Sequence, residues 1–167
     1  MKKWLGMASS AAMGIFAFIF MAFSAFFMKI SYAGQTQMSE KISGYKLLKQ
    51  SIKETNINGF GLYKVFSIIM LILAVLLIAW AVVMLLQNLN VLRLKFDLEL
   101  VNMILLAAFA FVVIVAFIAL IVMGASSSSE MAGAKLVAGP AAGAYLNLVL
   151  ALAACAGGVV AFVKQKA

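Results

Sequence analysis

Residues 65–86 read VFSIIMLILAVLLIAWAVVMLL, twenty-two positions with one hydroxyl, Ser67, and no Lys, Arg, Asp or Glu. About 20 such residues in a helix cross the hydrocarbon core of a bilayer. Three further segments meet the same condition: Trp4–Met28, Val101–Met123 and Ala141–Val163, none with a charged side chain. The reading is therefore all-α: a polytopic membrane protein whose four transmembrane helices form an antiparallel, left-handed bundle. The whole chain, 1–167, makes one membrane domain. Composition agrees. The chain is 66% hydrophobic and 11% charged, against roughly 45–50% and 25% in soluble domains.

Composition also narrows the chemistry. There is no histidine, so the commonest general base and metal ligand is missing. The single cysteine, Cys155, cannot form an internal disulfide or a metal site. Ser9, Ser10, Ser24 and Ser67 have no partner base in the pattern, and Glu40, Glu54 and Glu130 stand alone in the loops. Intramembrane ionisable residues mark ion paths and proton relays, and the four segments contain none. The expectation is a protein that is not an enzyme and takes no cofactor or metal. A net charge of +8 on such a chain points to lipid headgroups, with no patch dense enough for nucleic acid.

The connections differ in kind. The start, Met1-Lys2-Lys3 followed by an apolar run and Ser31-Tyr32-Ala33, resembles a signal peptide, but the run exceeds the usual 7–15-residue core, so it is read as a retained helix. The first loop, 29–64, contains Ile42, Tyr45, Leu48 and Ile52 at helical spacing between Lys41, Lys46, Lys49 and Lys53. That pattern suits a short basic helix lying on the membrane surface, with Asn56-Ile57-Asn58-Gly59 as a turn. The third loop, 124–140, includes Ser126–Ser129 and reads as flexible and solvated. The second loop alternates strictly from Leu92 to Leu100. As a strand, two antiparallel copies about Phe96 would set Arg93 against Glu99 and Lys95 against Asp97, an intersubunit pairing. As a helix capped by Asn90, the same residues become i,i+4 pairs. Irregular structure is the third possibility, and all three readings stay open.

Within the spans, polarity and size carry what information there is. Asn102 sits at the mouth of the third span. Asn147 lies inside the fourth, where a helix–helix hydrogen bond is the simplest role and a pore lining the alternative. Gly143, Asn147, Ala151 and Cys155 repeat every four residues, preceded by Gly139; Ala153, Gly157 and Ala161 form a second small face beside Gly158. Small residues let helices approach, either within the chain or between subunits. Phe16, Phe20, Phe23 and Phe27 form a stripe along the first span.

Orientation rests on Lys2 and Lys3 before the first span. With the N-terminus inside, basic residues number six inside and seven outside, so the balance alone does not decide. Tyr32, Tyr63 and Tyr145 then fall near the outer interface and Trp4 near the inner one.

With its four spans, paired termini, long first outer loop and shorter second outer loop, the layout resembles small tetraspan membrane proteins of the claudin type. Their first loops carry Trp-Gly-Leu-Trp and a cysteine pair; Gly59-Phe60-Gly61-Leu62-Tyr63 is the nearest stretch and does not match. The Lys-initiated start, the high Met and Phe content and Ser43-Gly44-Tyr45 also look like uncharacterised tetraspan proteins of low-GC bacteria. The expected function is a structural, self-associating integral membrane protein, a homo-oligomer or a small subunit of a membrane assembly. An oligomeric channel with uncharged lining helices is the alternative, and a transporter or enzyme comes last. The lipid bilayer and other membrane subunits are the expected partners. The expected location is the cell membrane, multi-pass, with both termini cytoplasmic.

Overall fold

The structure, a computed structural model, describes residues 2–50, 57–92, 94–95, 97–131 and 134–166. The elements run α1 (Lys2–Ala22), β1 (Ser24–Tyr32), β2 (Gln35–Ser43), α2 (Gly44–Lys49), α3 (Phe60–Asn88), α4 (Leu98–Ser127), β3 (Ser129–Met131), β4 (Ala134–Pro140) and α5 (Ala142–Lys166). Helices α1, α3, α4 and α5 are each long and apolar enough to span a membrane. At 1.5 Å per residue, α3 and α4 reach about 45 Å, beyond the roughly 30 Å hydrocarbon core, so they tilt or project past it.

The four long helices pack in a ring: α1 on α3, α3 on α4, α4 on α5 and α5 on α1. Helices α1 and α4 face each other across the diagonal. The inward stripes follow helical spacing. Met13, Ala17 and Met21 come from α1; Met70, Ala74 and Leu77 from α3; Leu106, Phe109, Ala110 and Val113 from α4; and Ala151 from α5. Ala17, Ala74, Leu77 and Phe109 are completely buried, so small and large side chains alternate across the axis and fill it.

The all-α expectation is only partly met, because the first and third loops build a sheet. Its strand order is β2-β1-β4-β3, with each neighbouring pair antiparallel. The first span ends at Ala22 and not at Met28. Among the residues that follow, Phe26, Phe27 and Ile30 are aromatic and β-branched types that suit strands. Here they gain a hydrogen-bonded neighbour on each side, Phe27 lying opposite both Lys41 and Gly139. Phe23 and Phe27 therefore leave the helical stripe, while Phe16 and Phe20 keep stacked rings at 5.8 Å.

The third loop is likewise ordered where it is described. A side chain at Gly124 of α4 would sit 2.5 Å from the Ala138 carbonyl oxygen, so the bare glycine is what lets β4 lie on the helix. The Ala141 amide then donates to the Ala25 carbonyl at 2.8 Å and extends the ladder to the start of α5. Below the sheet, Phe26, Ile42, Leu47, Phe60, Tyr63, Leu120 and Met123 form a second core. It joins the first and third loops to one end of the bundle.

The basic helix of the first loop is present but short. Ser43 caps it by accepting from the Lys46 amide at 3.3 Å. Leu47, not Tyr45 or Leu48, is its most buried apolar residue. The Tyr45 hydroxyl donates to the Phe18 carbonyl at 3.2 Å, tying α2 to α1. Between α3 and α4 the irregular reading fits the described residues: 92, 94, 95 and 97 are neither strand nor helix, and α4 begins at Leu98 behind an Asp97 cap.

Candidate functional site

At the end of the bundle opposite the sheet, a polar cluster bridges α1 and α4. The Asp97 side chain accepts from the Leu100 amide at 3.2 Å and starts α4. That start sets Glu99 in the first turn and Asn102 one turn on, both facing inward. Asn102 is completely buried. Its Nδ2 donates to the Gly6 carbonyl at 3.1 Å, and its Oδ1 accepts from the Ser10 hydroxyl. Gly6 and Ser10 are one turn apart on α1, so a single amide clasps two successive turns of the facing helix.

Glu99 completes the cluster. Its residual exposure is 8%. The carboxylate rests against the bare α-carbon of Gly6 and leaves Oε2 buried without a hydrogen-bond partner among the described residues. The expectation that every charge lies in a loop or tail is thereby corrected. The signal was present but misassigned: Glu99, Asn102 and Leu106 fall at i, i+3 and i+7 once Asp97 is recognised as the cap. Chemically, the Ser10 hydroxyl is bonded to an amide that cannot take a proton, so the cluster does not build an activated nucleophile.

The small-residue faces of α5 point into the chain. A side chain at Gly143 would come 2.7 Å from the Ser24 carbonyl oxygen; one at Gly157 would meet the Ser9 hydroxyl at 2.7 Å, and one at Gly158 the Leu106 side chain at 2.7 Å. Ala151 and Ala161 are buried. These glycines and alanines thus pack within the chain, Gly143 on β1, Gly157 on α1 and Gly158 on α4. Ala153 is exposed and Cys155 is partly buried with a free thiol. Gly139 is in β4 while Gly143 is in α5, so the two do not share a helical face. Asn147 reaches α3, its Nδ2 donating to the Met70 sulfur at 3.2 Å.

The remaining expected residues are scattered. Lys41 is exposed on β2, and Lys46 and Lys49 are exposed on α2. Lys46 pairs with Glu40 at 2.9 Å. Lys95 is exposed in the short connection, whereas Asp97 and Glu99 are committed to capping and core. Lys53, Arg93 and Phe96 lie outside the described residues. No protein-family profile matches the chain, and no curated protein matches it.

Proposed function

We propose that the chain is a structural, self-associating integral membrane protein, acting as a homo-oligomer or as a small subunit of a membrane assembly, and that it associates through the sheet. One observation carries this reading: the open edge of β2. Among the described residues this strand has β1 on one side and no strand on the other, and Gln35–Lys41 are all exposed. An exposed edge of this length presents a row of backbone donors and acceptors to another chain.

The helix faces favour this choice of surface, because Gly143, Ala151, Gly157, Gly158 and Ala161 of α5 pack within the chain. In this reading the protein lies in the cell membrane with both termini cytoplasmic and the sheet outside. The layout then resembles that of tetraspan proteins of the claudin type.

Disulfide trapping tests the proposal. In a Cys155→Ala background, Gln37→Cys or Ser39→Cys, oxidised in native membranes, should give a reducible dimer band, while cysteines on the lipid-facing side of α3 such as Ile72→Cys should not. A protein that stays monomeric at every β2 position, and monomeric by light scattering in nanodiscs, ends the reading.

A further inference from the structure

On the sheet side of the bundle, where α1, α3, α4 and α5 converge below Ala25, the packing leaves a partly open cavity of about 30 Å³. Most of its wall is apolar: Phe20, Met21, Met70, Val113 and Leu120. Three polar side chains break that wall, those of Tyr63, Ser67 and Asn147. Ser67 is 1% exposed, and its hydroxyl interacts with Tyr63 without a well-aligned hydrogen bond. Asn147 uses its Nδ2 on the Met70 sulfur, a weak acceptor, and leaves Oδ1 buried and unpartnered. Both residues line the same cavity, with Tyr63 one turn before Ser67.

An unpaired polar atom is costly in a protein interior, and more so at membrane depth where no solvent can reach it. Space decides what can satisfy it. A water needs roughly 10–15 Å³ of such volume and two or more polar partners. The cavity offers room for one or two waters and supplies both a hydroxyl and a carbonyl. Dry apolar cavities lack such groups. We propose that this cavity is a buried hydration site, in which one or two waters bridge the Ser67 hydroxyl of α3 to the Asn147 carbonyl oxygen of α5. The site joins two helices that do not pack directly on each other in the ring. It gives Asn147 a stronger partner than the Met70 thioether.

Methionines in the wall report on this directly. Met70 and Met21 line the cavity; Met84 and Met123 do not, yet all four are at most 4% exposed. X-ray radiolysis generates hydroxyl radical from bound water, and mass spectrometry locates the resulting methionine sulfoxide. In the full chain in nanodiscs, Met70 and Met21 should oxidise several-fold faster than Met84 and Met123. Equal, slow oxidation of all four overturns the proposal. A Ser67→Ala/Asn147→Leu double variant should bring Met70 down to the rate of Met84; unchanged fast labelling there would show that these polar atoms do not hold the water. The comparison within the unaltered chain stands by itself if that variant does not fold.

Discussion

The Glu99 carboxylate of α4 rests on the bare α-carbon of Gly6 in α1, across the diagonal of the bundle. The two positions therefore depend on each other. Gly6→Ala puts a methyl group into the space the carboxylate fills and should destabilise the protein by about 1–3 kcal/mol, as overpacking does. Glu99→Ala alone removes a buried carboxylate oxygen that has no hydrogen bond among the described residues, and should be close to neutral or stabilising. In the double variant the Gly6→Ala penalty should disappear. Thermal unfolding of the four proteins in one detergent gives the cycle; additive effects would mean that the two residues do not touch.

Asn102 holds the same diagonal by hydrogen bonding. It makes two bonds to α1, to Ser10 and to the Gly6 carbonyl. Side-chain hydrogen bonds in membrane bundles average about 0.6 kcal/mol and reach about 1.7 kcal/mol. Asn102→Leu should therefore lower stability by about 1–3 kcal/mol, because it also leaves the Ser10 hydroxyl unpaired. Ser10→Ala should be milder, and Asn102→Leu should do less harm in the Ser10→Ala background. Unfolding in graded SDS measures each difference.

The turn between β1 and β2 supplies a stabilising prediction. Tyr32 pairs with Gln35, which leaves a two-residue loop of Ala33 and Gly34. Their φ angles are 47° and 79°, as a type I′ turn requires. Alanine is strained there, whereas Asn-Gly is the preferred sequence. Ala33→Asn should raise stability by about 0.5–1 kcal/mol, and Ala33→Val should lower it by a similar amount or more. Slower amide hydrogen exchange along β1 and β2 in Ala33→Asn is the specific readout.

The spans were legible because apolar length is a strong signal that needs no partner. The cores of α3, α4 and α5 fall within a few residues of the expected bounds. The sheet was not legible, because its central pair joins residues more than 100 positions apart in sequence, Phe27 beside Gly139, and each strand looks unremarkable alone. Phe23–Met28 is apolar enough to extend a helix, and only the partners on both sides turn it into a strand. The polar cluster failed for a local reason. Strict alternation from Leu92 to Leu100 drew attention to pairing, and the cap at Asp97 that turns Glu99 inward was read as one more charge.

The last prediction concerns Asn90, which suits both ends of a helix. Read as an N-cap, it would begin α4; in the structure it ends α3. Its φ is 58°. The Asn90 amide donates to the Gln87 carbonyl at 3.0 Å and the Val91 amide to the Leu86 carbonyl at 2.9 Å. These are the paired bonds of a Schellman motif, whose left-handed position accepts glycine best and asparagine next. The two roles predict opposite results. As a C-terminal residue in the left-handed region, Asn90→Gly should be neutral or stabilising, and Asn90→Ala should destabilise by about 1 kcal/mol. The N-cap penalty belongs at Asp97, where Asp97→Ala should remove the bond to the Leu100 amide and lower stability by about 0.5–2 kcal/mol, with Asp97→Ser largely restoring it. Thermal midpoints of the four variants separate the cases. A loss on Asn90→Gly equal to that on Asp97→Ala would place the start of α4 at Asn90 after all.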